Sequence, residues 1–442
     1  MSIIATIILA LAALAFAAWK NPSVGFVSVL VMFGFEQLTQ TSHIIFVHRS
    51  YLINLAFGLV VLISIVSAFL RGWRPLSCYP VAGVLTILLF SFAFTSTLWT
   101  PAPEAAMDNW RRFWPYLVTI VLLSPLGGNK LEELNKAFGI FMWFGALVLL
   151  GLFFYSDWDG RGIAYVGMRS GARFLNPLET ASLAAYVSFA AVCVAPKRRS
   201  PLTYLVRFAI VSLCMAVAFK SSVRGQGVLL VAGVLAGGLF SQGIKGWRTY
   251  FGWFLVAIVV FSVALYLFQS LGSEERWSST VVEERVSGTM AAAIVMLDAW
   301  WSSGSQILIG LGNSAAFSTD LVGIYPHVVL IEVLSEEGLI GGLLLVTIIF
   351  LTCVAIRKLY IRGQINGNGV SIITLLGLLF MFEFALSFKQ GSLLGSTRLF
   401  AVAILIGRLE LLGRRQSRRS SVPLTSPLYS RPEMETSRGQ LP

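Results

Sequence analysis

Apolar runs separated by short polar segments fill most of the chain. A helix needs about 20 mostly apolar residues to cross a bilayer, and thirteen runs approach that length. The second and fifth runs are short, so the pattern fits twelve spans nearly as well. The predicted spans are residues 3–18, 24–35, 51–70, 79–99, 113–123, 138–155, 181–195, 202–219, 227–240, 250–268, 339–356, 370–388 and 399–412.

Composition narrows the class of protein. Hydrophobic residues make up 56% of the 442 positions and charged residues only 12%, with a mean hydropathy of +0.79. A soluble domain carries about 25% charged residues. The sequence therefore predicts an all-α integral membrane protein in which residues 1–412 form a single polytopic domain. The first run has no basic residue before it and no clear cleavage site, so we expect a retained helix.

The distribution of positive charge predicts orientation. The net charge is +12, and basic residues gather in short loops at 197–199, 245–248 and 357–362, as the positive-inside rule requires of cytoplasmic loops. This arrangement gives no indication of nucleic-acid binding. The tail at 413–442 contains RRQSRRS and a Ser/Pro-rich segment, which favours a disordered cytoplasmic tail. Counting back through the spans places 156–180, 221–226 and the largest loop, 271–337, outside.

The most polar stretch of that region, residues 310–342, carries His327 directly after Pro326. Proline favours the first turn of a helix, and the positive end of a helix dipole disfavours imidazole protonation. A neutral His327 could then accept a proton at neutral pH. The alternative is an ordinary loop histidine at a membrane interface. The four-residue spacing of Glu332 and Glu336 predicts a shared, solvated helix face.

Basic residues also occur outside, where the positive-inside rule leads us to expect few. Arginine matches phosphate oxygens in geometry and keeps its charge, although snorkelling or pairing with nearby acids is the simpler explanation for most of them. Arg224, in SSVRGQG, has no acid nearby in sequence, so we expect it to have a dedicated partner. These residues are Arg161, Arg169, Arg173, Arg224, Arg276, Arg285, Lys389 and Arg398.

An ordered set of motifs, over about residues 90 to 345, resembles the bacterial O-antigen ligase and O-antigen polymerase superfamily. His327 is followed by one residue, nine more, and then Gly338-x-x-Gly341, as in the family signature. Val328 departs from that signature, which has Asn, Ser or Gln there. The other similar stretches are LWTPAP, RFLNPLETAS, SSVRGQG, and RVSGTMAAAIVMLDAWW leading to GLGNSAAF.

The resemblance implies a large-loop, multi-helix glycosyltransferase with about 12–13 spans, acting on the periplasmic side of the inner membrane without metal or cofactor. It implies a glycan donor on undecaprenyl diphosphate and a glycan or lipid A-core acceptor. Chain-length regulators or other polysaccharide-assembly proteins are further partners it implies. Arg224 and Arg285, with Arg173 as a third residue, would hold the diphosphate, and His327 would be the catalytic base. Ligation and polymerisation both remain open; the absent polar neighbour favours polymerisation.

The residues alone agree with this chemistry but leave a second class open. No HExxH motif occurs, and the four cysteines have no metal-ligand spacing. A transporter or flippase for an anionic or lipid-linked substrate is the alternative. Glu383, inside LFMFEFALSF, favours transport because ionisable residues within a membrane are commonly functional. Pairing with a neighbouring helix or with Lys389 would explain Glu383 equally well.

Overall fold

A computed structural model describes residues 3–73, 79–127, 130–159, 162–164, 174–175, 177–196, 200–221, 223–241, 258–259, 262–263, 266, 279–323, 327–366, 369–389 and 391–420. Fifteen α-helices lie among these residues. They are α1 (Ile3–Lys20), α2 (Ser23–Ser42), α3 (Ile44–His48), α4 (Tyr51–Leu70), α5 (Val81–Ser96), α6 (Pro103–Gly127), α7 (Leu131–Tyr155), α8 (Pro177–Cys193), α9 (Pro201–Lys220), α10 (Arg224–Ser241), α11 (Ser279–Ser302), α12 (Val329–Glu336), α13 (Gly338–Asn366), α14 (Val370–Leu386) and α15 (Thr397–Ser420).

The predicted all-α membrane architecture is confirmed. By length and composition, five of the described helices could cross a membrane, namely α1, α4, α7, α9 and α13, and four shorter apolar helices accompany them. Local sequence fixes several helix starts. Pro201 opens α9, and the Ser200 hydroxyl accepts a hydrogen bond from the Thr203 amide at 3.2 Å, which caps an otherwise unpaired donor. The predicted span at 250–268 lies almost wholly outside the described residues.

The two short predicted spans are parts of longer helices. Residues 24–35 belong to the 20-residue α2, whose polar last turns, including Gln37, Thr39 and Gln40, are buried within the bundle. Residues 113–123 belong to the 25-residue α6, which contains Pro115 and Pro125. In α2 the apolar pattern ended early because tertiary packing, rather than lipid, surrounds the polar turns. Helix α6 instead begins with exposed polar turns that include Asp108 and Arg111.

The core centres on α8, α14 and α15. Residues 180–191 of α8 are all buried, as are residues 399–406 of α15, whereas α1 buries only Leu14 and Ala18. A helix that is apolar and buried on every side belongs inside a bundle. A small antiparallel sheet, unexpected from the sequence, joins β1 (Trp158–Asp159), β2 (Gly162–Ala164) and β3 (Phe174–Leu175) before α8.

The bundle has two distinct ends. At one end, which we call the His327 end, α2, α5, α7, α9 and α14 finish, and α6, α8, α10, α13 and α15 begin. There the Ser156 hydroxyl contacts that of Thr41 at 3.2 Å. At the opposite end the Asn21 amide donates to the Glu133 carbonyl at 2.7 Å. The described residues of 221–226 and 271–337 all belong to the His327 end.

The last helix extends further than predicted. Helix α15 continues through Ser420, so residues 413–420, which we expected to be disordered, are helical. Glu410, one turn earlier, pairs with Arg414 and lies 3.9 Å from Arg362 of α13. This i,i+4 pair supports continuation of the helix. The rest of the predicted tail lies outside the described residues.

Candidate functional site

His327 occupies a tight turn directly before α12. Its φ is +58°, a left-handed conformation that is uncommon outside glycine, although histidine adopts it more readily than most residues. The N-cap of α12 is Val328. The helix therefore starts two residues after His327, later than we had predicted, and Pro326 itself lies outside the described residues. The ring is solvent-accessible, and its partial burial lowers the pKa of His327 below the ordinary value.

Helix α12 is anchored to the connection between α14 and α15. The Val329 amide donates to the Ser387 carbonyl at 2.9 Å. Glu332 accepts from the Leu393 amide through both carboxylate oxygens, at 3.2 and 3.1 Å. Glu332 and Glu336 are 3% and 1% exposed, so the solvated face predicted for them is wrong. Their shared face is the one that holds α12 in place.

Glu336 and Glu337 hold the loop at 310–316. Glu336 accepts from the backbone amides of Ser314 and Ala316 at 2.6 and 3.1 Å. Glu337 accepts from the Asn313 side chain at 3.0 Å. Burial raises the pKa of Glu336 to about 7. Burial is the larger cause that raises the pKa of Glu337 well above its ordinary value, and the neighbouring Glu336 charge is the smaller one.

Residues 310–316, which we call the glycine loop, pack against α12 and the start of α13 and direct their backbone amides to protein acceptors rather than to a phosphate. The amides of Leu311 and Gly312 donate to the carbonyls of Ser335 and Glu336, both at 2.8 Å. The amides of Ser314 and Ala316 donate to Glu336. All four amides are therefore directed towards protein acceptors. Gly310 has a φ of +80° and sits directly against the α12–α13 turn. Residues 310–313 therefore form a turn whose backbone amides donate to protein groups rather than to an anion.

The predicted diphosphate residues are only partly described. Arg224 is the first residue of α10, and Arg285 lies in α11, which packs against α12; both side chains lie outside the described part of the structure, as does all of Arg173. Gly225 approaches Lys389 so closely that a Cβ there would lie 2.8 Å from Nζ. Lys389 is two residues from Ser387, so the starts of α10 and α12 meet the same connection.

Helix α11 is anchored by apolar packing and by a hydrogen bond. It spans 24 residues, and Met296 packs in a small apolar cluster with Ala315 and Ala316 of the loop held by Glu336. The Trp300 indole donates to the Ile307 carbonyl at 3.1 Å. This bond ties the end of α11 to the segment that follows it, so Trp300 contributes to packing within the protein.

A second polar cluster, which the sequence did not predict, lies inside the bundle at the same end. Arg398 pairs with Glu179, and its guanidinium also donates to the Tyr186 hydroxyl at 3.2 Å. Tyr186 in turn donates to Glu383. Glu383 therefore contacts a neighbouring helix. This is one of the two non-functional explanations given above, the other being pairing with Lys389. Polar residues inside apolar runs were the signal in the sequence that could have indicated this cluster. The spacing of residues along one helix, however, cannot show that residues from three helices pair with one another.

An apolar crevice runs along the bundle beside the site. A cavity of about 590 Å³ lies among α8, α10, α13 and α14, and one of about 350 Å³ lies among α12, α13 and α14. Cys353 borders both, while Val329 and Ser387 border the second. The crevice therefore reaches the turn that carries His327. In the described residues, no three His, Cys, Asp or Glu side chains are grouped closely enough to hold a metal ion.

Comparison with known proteins adds no relative. The chain matches no model of a known protein family, and no curated protein is significantly similar to it.

Proposed function

We propose that this protein transfers a glycan from a polyprenyl diphosphate carrier to a hydroxyl acceptor at the His327 end. Repeat-unit polymerisation is favoured over ligation to lipid A-core because Val328 replaces the polar residue of the ligase-like signature. The observation that carries the proposal is the meeting of three segments. Val329, which opens α12 two residues after His327, donates to the Ser387 carbonyl, and the connection that follows Ser387 contacts the first turn of α10, where Arg224 lies.

These residues suit the chemistry of glycan transfer. A neutral His327 takes the proton of the acceptor hydroxyl, whose oxygen attacks the anomeric carbon of the donor sugar. The bond from that carbon to the diphosphate oxygen breaks, and the polyprenyl diphosphate leaves with the bonding electrons. Fixed positive charge at Arg224, Arg285 and Lys389 stabilises the charge on the leaving group. General-base assistance contributes about 10²–10⁴-fold in rate.

The crevice supports a lipid-linked donor. A polyprenyl chain is apolar and extended, and the two apolar cavities lie side by side at Cys353, the second of them bordered by Val329, two residues after His327. Burial of each CH₂ group contributes about 0.8 kcal/mol. The chain would therefore supply much of the binding free energy, while the polar end would position the diphosphate.

Charge supports a location in a bacterial inner membrane with the His327 end facing the periplasm. Apart from Arg398, the described basic residues of α13 and α15 lie towards the opposite end, including Arg357, Arg362 and Arg414. Positive charge concentrates on the cytoplasmic side of membrane proteins.

The test uses His327→Asn, because asparagine tolerates the left-handed conformation that alanine would strain. We expect transfer from an undecaprenyl-diphosphate-linked glycan to fall by about 10²-fold or more while the protein level and melting temperature stay near wild type. Wild-type activity should also fall on acidification, with an apparent pKa below the ordinary histidine value, because protonated His327 cannot accept a proton.

Arg224→Ala and Arg285→Ala extend this test to the donor. Each should raise the KM for the donor. Undiminished transfer by His327→Asn would refute the base assignment, and unchanged donor affinity in both arginine variants would refute the diphosphate assignment. The glycan profile of a deletion strain separates the two reactions: a single capped repeat indicates polymerisation, and loss of all polymer on lipid A indicates ligation.

Transport of a lipid-linked or anionic substrate is the second candidate, favoured by one observation. Glu383 lies within the bundle in a network with Tyr186, Arg398 and Glu179, and such intramembrane groups commonly serve transport. Every member of this network is paired, which also suits a structural role. Substrate movement into vesicles that requires Glu383, without any glycan product, would favour transport over transfer.

A further inference from the structure

Gln226, in the first turn of α10, is a buried side chain whose amide lacks a protein partner. It is 0% exposed. Neither Oε1 nor Nε2 makes a hydrogen bond within the described part of the chain. Burying an amide without hydrogen bonds is unfavourable, and such groups in native proteins call for an explanation such as a ligand or water.

Other buried glutamines in the bundle are paired. Gln37 is 5% exposed and accepts a hydrogen bond from Thr180. Gln40 is 6% exposed and donates to Glu36 at 3.2 Å. The fold thus pairs the two other buried glutamines at the same end. Single buried atoms such as Asn54 Oδ1 and Ser188 Oγ also lack partners, but among the described side chains only Gln226 leaves two polar atoms unpaired.

Helix geometry indicates the direction of Gln226. Gln226, Leu230, Gly233 and Gly237 share one face because they recur at intervals of three and four residues. A Cβ on Gly233 would collide with Phe189 of α8, and one on Gly237 would lie 3.0 Å from Leu378 of α14. The face therefore points into the seam between α8 and α14.

The position along that seam places Gln226 beside the candidate site. Seven residues separate it from Gly233, which is about 10 Å of helix. Helices α8 and α10 run parallel, so the same step along α8 leads from Phe189 to Ser182, which is 3% exposed. On the other side of the seam, Gly225 already contacts Lys389. Gln226 therefore lies inside the bundle at the start of α10, one residue from the approach of Gly225 to Lys389.

We propose that Gln226 binds the sugar that is joined directly to the diphosphate of the donor. This inference rests on the proposed function and assigns a further substrate-binding residue to it. Phosphate oxygens only accept hydrogen bonds and would satisfy Nε2 alone. A sugar hydroxyl or acetamido group both donates and accepts, so it satisfies Nε2 and Oε1 together.

A route to this buried amide passes Lys389. Its long, flexible side chain covers Gly225, the residue adjacent to Gln226. A phosphate that attracts Nζ would draw this side chain off the glycine. The first sugar could then follow the diphosphate inward to the amide.

The first measurement is thermal stability in detergent. Gln226→Leu should melt at or above the wild-type temperature, because it removes a buried amide that has no partner. The matched control Gln37→Leu should melt lower, because it strands the Thr180 hydroxyl. Gln226→Met is a second variant, because methionine has a similar length and volume to glutamine. A marked loss of stability in both Gln226→Leu and Gln226→Met would mean that the protein itself pairs this amide, and would overturn the proposal.

The second measurement compares two probes, undecaprenyl diphosphate with and without one N-acetylhexosamine. Wild type should bind the sugar-bearing probe about tenfold more tightly than the bare one. Gln226→Leu should bind both equally, with the affinity for the bare probe unchanged, whereas Gln37→Leu should keep the wild-type preference.

The outcomes separate this inference from the function on which it rests. If wild type binds neither probe, the proposed function fails and the assignment of Gln226 fails with it. If wild type prefers the sugar-bearing probe and Gln226→Leu keeps that preference, only the assignment of Gln226 is overturned. A preference lost in Gln226→Leu and retained in Gln37→Leu supports both.

Discussion

At the scale of single residues, the site depends on conformations and burial that residue type alone does not specify. His327 has a positive φ, which costs free energy for a residue with a Cβ and persists only where its surroundings impose it. The bond from the next helix to Ser387 and the pairing of Glu332 supply that constraint. A strained residue at a surface turn of an anchored helix is a feature of functional sites.

Glu337 provides a prediction about pH. Because burial raises its pKa, the folded state holds a proton that the unfolded state releases above about pH 4.5. Wild-type stability should therefore decline as pH rises from 5 towards 8. Glu337→Gln keeps the acceptor used by Asn313 and replaces Oε2, which has no partner among the described residues. It should melt higher than wild type at pH 8 and similarly at pH 5.

Melting curves between pH 5 and pH 9 check this expectation. Glu332→Gln is a useful comparison, because it alters an acid whose two oxygens share the Leu393 amide. Equal pH dependence in wild type and Glu337→Gln would show that Glu337 does not hold its proton in the folded protein.

At the scale of elements, the α12–α13 turn and the glycine loop form one interlocked unit. The Leu339 and Ile340 amides donate to the carbonyls of Ile307 and Leu308 at 3.0 and 3.2 Å. These bonds satisfy the first free donors of α13. The start of α13 thus packs closely against this loop at Gly338 and against α12 at Gly341 and Gly342.

Gly338 offers the test of this unit. Its φ is +66°, and a Cβ there would lie 2.5 Å from the Gly310 nitrogen. Gly338→Ala should destabilise the protein by about 2 kcal/mol or more, since the left-handed conformation alone costs about 1–2 kcal/mol. Gly288→Ala, in α11 with open space around it, should be neutral or stabilising by about 0.5–1 kcal/mol. Similar melting temperatures for these two variants would contradict the interlocked arrangement.

At the scale of the whole molecule, one ionic network joins the central helices. Arg398 of α15 reaches Glu179 of α8, and Tyr186 of α8 reaches Glu383 of α14. Arg398 also lies over the Phe33 ring of α2, with the guanidinium 5.3 Å from the ring centroid. Four helices thus meet at one cation close to the candidate site.

Removing that cation should affect the bundle as a whole. Arg398→Met leaves Glu179 without its partner in a mostly buried place, and we expect a loss of about 3–5 kcal/mol. The double variant Arg398→Met, Glu179→Gln should recover part of this loss because no unpaired charge remains. Melting temperatures in detergent check both; a double variant less stable than the single one would show that the pair is not the source of the stabilisation.

The sequence by itself determined the class of architecture, most helix positions and the end of the bundle at which polar residues gather. These follow from the length and spacing of apolar runs, which depend only on neighbours along the chain. It could not reveal the tertiary partners of Glu332, Glu336 or Glu383, because each is paired with a residue distant in sequence. Helix periodicity even suggested solvent for two acids that are buried.

The tertiary structure alone decided how the site is assembled. The starts of α10 and α12 are separated by about a hundred residues, and they meet only because the α14–α15 connection packs against both. Likewise, Gln226 is an unremarkable glutamine in sequence, and its unpaired amide becomes visible only when α8 and α14 enclose it. Hydrophobic pattern specifies which faces are buried, but only packing specifies which groups face one another.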